Sequence, residues 1–236
     1  MGERQTKESS QDMESTPSTK MSCNTPLHPY HFILEKYSDI VSRIPSHVTL
    51  LAVSKKQPTD KIKLLYDQGH RDFGESYVSE LISKYQTLPS DIQWHFIGHL
   101  QSNKVKKLSQ IKSVIIHSID SLKLLKLVEQ AGNFRIFVQV NISNEEQKSG
   151  ASLEEALELV KYAEASSSLS LLGLMMIGSK GKQEFSLMNE FREKVELEIK
   201  RKIKLSMGMS SDYEDAIQMG SDCVRIGTLL FGERIE

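Results

Sequence analysis

Short apolar runs alternate with longer segments of helical periodicity from residue 28 to the end of the chain. Eight runs rich in β-branched and aromatic residues predict strands at 48–53, 71–75, 92–97, 113–118, 134–142, 169–177, 204–208 and 223–227. Helical patterns between them predict helices at 59–69, 76–85, 102–108, 121–130, 152–164, 184–202 and 211–219, and a further helix at about 31–43 precedes the first strand. This strict alternation predicts parallel strands joined by right-handed crossovers.

Eight strand–helix units favour an α/β fold closed into a single (β/α)₈ TIM barrel. A doubly wound open sheet is the alternative, and the lack of GxGxxG after the first strand weighs against its dinucleotide-binding form. Residues 1–27 are rich in Ser, Thr, Glu and Lys, and too few large apolar side chains are present to offset the entropy of ordering them. We therefore expect a disordered tail over 1–27 and one barrel domain over 28–236.

Composition excludes several classes of protein. The 236 residues carry 30 Lys and Arg against 31 Asp and Glu, so no overall positive field favours nucleic acid. No apolar run approaches the ~20 residues needed to cross a bilayer, and the tail lacks the apolar core of a signal peptide. Cys23 and Cys223 cannot form a disulfide framework. These features predict a cytoplasmic protein with neither a membrane nor a nucleic-acid partner.

Small, polar or ionisable residues follow almost every predicted strand, at the edge where TIM barrels carry their active sites. Lys55 ends the first strand, and side-chain alternation places it on the same face as Leu51 and Val53. A partly desolvated lysine at a barrel mouth is a competent nucleophile toward a carbonyl. The competing interpretation is a lysine that extends into water, a role for which the adjacent Lys56 is the natural candidate.

Arg225 interrupts a short run that otherwise resembles a buried strand. A guanidinium stays charged, so inside a barrel it needs a carboxylate, phosphate or ring-nitrogen acceptor. Gly227 and Thr228 follow it, and the small-residue segment 206–210 ends the preceding strand. The loops after strands seven and eight bind phosphate in many barrels, so these two segments predict a phosphate site. An internal salt bridge and two ordinary tight turns are the alternatives.

His95 and His99 do not have the spacing of a metal pair, because one is predicted in a strand and the other in a loop. No metal site is therefore predicted. His99 is expected to face a bound ring or substrate, whereas His95 is expected in the core or barrel lining.

An amine nucleophile, a phosphate site and a buried arginine together suit a phosphorylated aldehyde, and pyridoxal 5′-phosphate (PLP) is the obvious one. Arg225 only donates hydrogen bonds, so it would leave the pyridine nitrogen unprotonated and the ring a poorer electron sink. A Schiff-base aldolase acting on a phosphorylated sugar shares the lysine and the phosphate site, but it gives Arg225 no clear partner.

The sequence resembles the pyridoxal phosphate homeostasis protein family, single-domain relatives of the alanine racemase barrel. The resemblance spans residue 48 to the end and is carried by the blocks AVSK (52–55), FGESYVSEL (73–81), WHFIGHLQSNK (94–104), HSID (117–120), QVNI (139–142), KSG (148–150), GLM (173–175), LSMGMSSDYEDAI (205–217) and VRIGTLLFGER (224–234).

The resemblance implies a barrel like the alanine racemase N-terminal domain, with PLP held on Lys55 as a Schiff base. It implies phosphate contacts from Ser206, Gly227 and Thr228, with Arg225 at the pyridine nitrogen. Two further residues complete the expected cofactor-binding set, Ser76 and His99.

Two positions depart from the family's usual pattern. Ser76 replaces an asparagine, which shortens or removes any ring contact made from there. Gln57 replaces a lysine, so a transfer role for that second lysine is in doubt.

Members of this family are regarded as lacking ordinary turnover and as carrying or buffering the cofactor. The expected function is therefore intracellular PLP homeostasis without enzymatic turnover, with PLP-dependent apoenzymes as a candidate class of partner. The alternative is a PLP-dependent racemase or decarboxylase. A racemase needs a base on each face of the substrate, and Tyr77 or Tyr213 could supply the second. The sequence shows no appended domain like the one that builds the alanine racemase dimer, so a monomer is expected.

Overall fold

The computed structural model describes residues 1–2, 29–143, 145, 148–178 and 181–233. The predicted tail over 1–27 lies outside the described residues, apart from its first two positions. Within the described ranges no helix is both long enough and apolar enough to cross a membrane.

Eight parallel strands close into a barrel in sequence order, which confirms the predicted fold. The strands are β1 (Thr49–Val53), β2 (Asp72–Glu75), β3 (Gln93–Phe96), β4 (Ile115–Ile119), β5 (Phe134–Val140), β6 (Leu169–Met176), β7 (Lys204–Met209) and β8 (Cys223–Ile226). The seam pairs β1 with β8 and sets Leu51 opposite Arg225. Closure therefore brings the first and last strands side by side.

The helices surround the barrel. They are α1 (His31–Arg43), α2 (Thr59–Asp67), α3 (Val78–Thr87), α4 (Val105–Leu108), α5 (Leu122–Ala131), α6 (Leu153–Ala165), α7 (Lys182–Ile199), α8 (Tyr213–Gln218) and α9 (Thr228–Phe231). Ser152 and Glu155 form the capping box expected at the start of α6. The four-residue α9 was not expected, since so short a segment shows no helical periodicity.

The apolar core occupies the layer between the barrel and its helices, where one cluster contains residues from every strand. The barrel interior differs from this layer. It holds a small apolar cluster of Ile115, Phe137 and Met175 together with several buried polar side chains.

Candidate functional site

Two cavities open at the carboxyl ends of the strands, and Lys55 and Ile97 line both. The smaller cavity, of about 290 Å³, is lined by Val53, Lys55, Ile97, Met209, Ser210, Ser211, Arg225, Gly227 and Thr228. The larger cavity, of about 820 Å³, is lined by Ser76, Tyr77, His99, Gln101, Lys104, Lys107 and Ile177, among others. The structure thus brings Lys55, Arg225, Gly227 and Thr228 together around the smaller cavity, as the sequence predicted.

Lys55 lies in a tight turn at the end of β1, in which the Gln57 N–H donates to the Ser54 carbonyl over 3.0 Å. The side chain of Lys55 is half-buried, whereas Lys56 is exposed and has a φ of 57°. A left-handed conformation is unusual for a residue with a side chain. Glu80 Oε1 accepts from the Lys56 N–H over 2.7 Å and so holds the turn in this shape.

A buried ion-pair cluster lies behind this turn. Lys84 Nζ donates to Glu75 Oε1 over 2.8 Å, to Glu80 Oε1 over 2.7 Å and to the Ser54 carbonyl over 2.7 Å. Ser54 Oγ donates to the same Glu75 oxygen over 2.6 Å. Burial raises the pKa of Glu75 to about 7, although Lys84 and Ser54 oppose that rise. The cluster clamps residues 54–56 to α3.

Arg225 is buried and makes no salt bridge within the described part of the chain, so the alternative of an internal ion pair is not realised there. Its Nη1 donates to the Ser206 carbonyl over 2.7 Å and to Ser206 Oγ over 3.0 Å. Its Nη2 donates to the Met176 carbonyl over 2.7 Å. These bonds hold the guanidinium beside the smaller cavity, where Asp212 acts on its charge from beyond salt-bridge distance.

The segment that follows β8 supplies backbone donors beside the smaller cavity. The Gly227 and Leu229 N–H groups both point at Ser210 Oγ, over 3.3 and 3.4 Å. Thr228 lies exposed between them. Two N–H groups that converge on one oxygen at long distance form a suitable pair of donors for an anion.

Ser206 is located away from these donors. It is completely buried in the barrel interior and lines neither cavity, because β7 continues past it to Met209. Its hydroxyl contacts Arg225 and lies 3.1 Å from His117 Nδ1. The serine at the mouth is Ser210, four residues further on, which the sequence placed in the same loop without assigning it a contact.

Ser76 and His99 belong to the larger cavity and do not line the smaller one. His99 is 63 % exposed and its Nδ1 lies 3.7 Å from Asp120 Oδ2. The loops that carry these residues touch at Gly98, where an added Cβ would lie 2.1 Å from the Ser76 carbonyl oxygen. Glycine at this position allows the two loops to form one wall of the larger cavity.

Gln57 faces away from both cavities. It is buried, and its Oε1 accepts from Lys61 Nζ over 2.7 Å, while Lys61 also donates to the Phe231 carbonyl over 3.1 Å. Gln57 therefore holds the ammonium of Lys61, and Lys61 links α2 to the end of α9. Of the two tyrosines considered as a second base, Tyr213 is buried, lines neither cavity and donates to Glu214. Tyr77 lines the larger cavity and is 51 % exposed.

His95 lines the barrel interior, as predicted, and it does so within a series of polar contacts that the sequence did not reveal. It lies between Asp72 and His117, and His117 in turn contacts Ser206. Each residue comes from a different strand, so no spacing along the chain could have indicated the series. The described residues contain no group of three or more His, Cys, Asp or Glu arranged to hold a metal ion.

Comparison with known proteins places these features in a family. Residues 33–235 match the family described as alanine racemase, N-terminal domain. The pyridoxal phosphate homeostasis protein of Schizosaccharomyces pombe is 41 % identical over 201 residues, which cover 80 % of this chain and 85 % of that protein. The human protein of the same name is 36 % identical over 229 residues, covering 85 % of this chain and 83 % of that one.

Solved structures agree with the sequence matches. PipY of Synechococcus elongatus PCC7942, in a structure without PLP, is 31 % identical and superposes with a TM-score of 0.79, over 85 % of this chain and 100 % of PipY. The structure of PipY with PLP bound gives a TM-score of 0.77 over the same shares of both chains. The chain therefore belongs to the alanine racemase N-terminal domain family and, within it, to the pyridoxal phosphate homeostasis proteins.

Proposed function

We propose that this protein binds PLP in the smaller cavity through a Schiff base to Lys55, and that it carries or buffers the cofactor in the cell without enzymatic turnover. The observation that carries the proposal is the meeting of Lys55, Arg225 and the β7 and β8 loops around one cavity. PipY, a relative with the same fold, has been solved with PLP bound.

The groups that line the smaller cavity fit the chemistry of PLP. Its volume of about 290 Å³ is just below the roughly 300–1,000 Å³ typical of small-molecule sites, which suits a single substituted ring. The Gly227 and Leu229 N–H groups would bind the phosphate, together with the hydroxyls of Ser210 and Thr228. We assign the serine contact to Ser210 rather than Ser206, because Ser206 is buried behind Arg225.

Arg225 would face the pyridine nitrogen. Its three bonds to backbone and hydroxyl oxygens hold the guanidinium still, and none of them uses Nε. When bound, the cofactor supplies an aldehyde that condenses with an amine and a ring that withdraws electrons. An arginine leaves the ring nitrogen without a proton, which weakens that withdrawal and favours storage of the cofactor over catalysis.

The larger cavity gives solvent and incoming amines a route to Lys55. Ser76 and His99 would line this route instead of touching the ring. A carrier needs such an opening, since its cofactor leaves when another amine replaces the lysine. Apoenzymes that require PLP stay the proposed class of recipient, and the cytoplasmic location and monomeric state stay predictions from the sequence.

Reductive trapping tests the linkage. The protein is incubated with PLP, reduced with borohydride and digested, and the peptides are analysed by mass spectrometry. We expect a pyridoxyl adduct on Lys55 that disappears in Lys55→Ala and persists in Lys56→Ala, the exposed neighbouring lysine. An adduct on a different lysine, or none in the wild-type protein, contradicts the proposal.

A racemase is the second candidate, because Tyr77 lines the larger cavity beside Lys55 and could act as a second base. Incubation with PLP and L-alanine, followed by chiral chromatography, separates the two functions. A carrier produces no D-alanine at an enzymatic rate. Turnover that is lost in Tyr77→Phe would establish the racemase instead.

A further inference from the structure

Five polar side chains form a continuous series of hydrogen bonds across the barrel interior. Asp72 Oδ1 lies 3.1 Å from His95 Nε2, and His95 Nδ1 lies 2.9 Å from His117 Nε2. His117 Nδ1 lies 3.1 Å from Ser206 Oγ, which accepts from Arg225 Nη1 over 3.0 Å. The series, which we call the interior chain, runs from the first residue of β2 to the arginine at the smaller cavity.

The acceptor at one end of the interior chain determines the direction of every bond in it. An ionised Asp72 can only accept, so each neutral imidazole carries its single proton on Nε2 and accepts at Nδ1. Ser206 must therefore donate to His117 Nδ1, and its lone pairs stay available to Arg225, which can only donate. Burial raises the pKa of Asp72, but the hydrogen bond from His95 and the positive groups nearby keep this pKa below its usual value.

Both imidazoles are neutral in this arrangement. Burial lowers the pKa of His95, and burial together with the neighbouring His95 and Arg225 lowers that of His117 well below its usual value. The other charged or titratable groups that act on the chain are His70, Arg135, Lys204, Asp212 and Cys223. A proton added to His117 Nδ1 would remove the acceptor that Ser206 uses.

The interior chain also determines what Arg225 offers to a ligand. With the Ser206 hydroxyl proton directed at His117, a lone pair of Ser206 Oγ faces Nη1 of Arg225. The Ser206 and Met176 carbonyls hold the other two contacts. No described residue accepts from Nε of Arg225, which leaves this donor for a ligand in the cavity that Arg225 lines. The bonds made by Nη1 and Nη2 hold the guanidinium in this orientation.

We propose that Asp72, His95, His117 and Ser206 are positioning residues that keep Arg225 directed at the ring nitrogen of the ligand in the smaller cavity. The inference rests on the proposed binding of PLP, but the proton order of the interior chain does not. Within this chain of bonds the two histidines act through Ser206 and make no contact with the ligand themselves.

The proton order is tested first, on the ligand-free protein. ¹⁵N NMR of labelled histidine distinguishes a protonated Nε2 from a protonated Nδ1. We expect His95 and His117 to show only Nε2–H at neutral pH, and Asp72→Ala, which removes the acceptor of the His95 proton, to release them into a mixture of tautomers. A protonated Nδ1 on His117 in the wild-type protein overturns the inference, whether or not PLP binds.

The effect on Arg225 is tested with a ligand that lacks the ring nitrogen. Wild-type protein should bind PLP roughly tenfold more tightly than 1-deaza-PLP, in which a carbon replaces that nitrogen, because a hydrogen bond to a charged donor is lost. In Ser206→Ala the preference should fall below about threefold, since Arg225 loses one of its holding contacts.

Ser221→Ala is the matched control. Ser221 is also buried, and its hydroxyl donates to the Met207 and Cys223 carbonyls without contacting Arg225, so its loss should leave the preference unchanged. An undiminished preference in Ser206→Ala overturns the inference. Should Ser206→Ala fail to fold, Asp72→Ala takes its place, because Asp72 lies at the partly exposed end of the interior chain. If His95 and His117 keep single tautomers in Asp72→Ala, that result also overturns the inference.

Discussion

Glu75 and Glu80 share one cation, because Lys84 donates to both carboxylates. One ammonium compensates one negative charge, and Glu75 is the more deeply buried of the two acids. Its second oxygen, Oε2, is buried without a hydrogen-bond partner among the described residues. Binding a proton at this carboxyl relieves both the surplus charge and the cost of burying it, which is consistent with a pKa raised to about 7.

The first prediction concerns the pH dependence of stability. Glu75 titrates near 4.5 when unfolded and near 7 in the native protein. Between those values the native state holds the proton more strongly, so the free energy of unfolding falls as the pH rises, by about 3 kcal/mol in total. Glu75→Gln keeps the acceptor for Ser54 and Lys84 but cannot titrate, so its stability relative to wild type should rise by about that amount from pH 4.5 to 8.

Urea unfolding at a series of pH values measures this difference. Glu158→Gln alters a carboxylate that is 75 % exposed and should follow the wild-type curve at each pH. Parallel curves for wild type and Glu75→Gln would show that folding does not raise the pKa of Glu75.

At the scale of the elements, the site is formed by loops that only close packing brings together. The loop after β2 and the loop after β3 touch at Gly98, which has no room for a Cβ against the Ser76 carbonyl. The turn after β1 is held from α3 by Glu80 and Lys84. The position of Lys55 thus depends on the packing of the elements that follow β1 in the sequence.

The second prediction tests this packing. Gly98→Ala forces the two loops apart and should lower the free energy of unfolding by about 3 kcal/mol or more, as expected when backbone has to move. Ser76→Ala removes only a half-buried hydroxyl and keeps the carbonyl, so it should change stability by less than about 1 kcal/mol. Unfolding midpoints in urea compare the two variants, and equal effects would argue against the close approach at Gly98.

At the scale of the whole molecule, the proposed ligand connects the first strand of the barrel with its last two strands. Lys55 follows β1, whereas Ser210, Gly227 and Arg225 belong to β7, β8 and the loops that follow them. The same strands, β1 and β8, form the seam that closes the sheet. A ligand that contacts both sides of the seam stabilises the closed barrel by binding only the folded state.

The third prediction follows from this linkage. Free PLP at about 100 times its Kd should add about 2.7 kcal/mol of stability, which raises Tm by roughly 5–10 °C for a domain of this size. Pyridoxal, which lacks the phosphate, should raise the Tm of the wild-type protein by less at the same concentration. PLP should likewise raise the Tm of Lys55→Ala by less than that of the wild-type protein. Differential scanning calorimetry measures both, and equal rises with PLP and pyridoxal would contradict the assigned phosphate contacts.

The sequence predicted the elements well because their signals are local. Strand β1 was expected over 48–53 and lies over Thr49–Val53, and the capping box at Ser152 marks the start of α6 as predicted. Lys55 and Arg225 were expected at one site because parallel strands in a barrel carry their carboxyl ends to the same edge. These inferences need only periodicity, capping and the topology of closure.

The tertiary structure alone decided which side chains meet. Ser206 and Ser210 are four residues apart in one small-residue segment, and only the extent of β7 shows that the first is buried in the barrel and the second lies at its mouth. Gln57 bonds Lys61 instead of facing the ligand, and the interior chain joins residues from five different strands. Periodicity along a chain specifies which face a side chain takes. The partner it finds across a closed barrel depends on strand register and depth, which arise only when distant segments pack together.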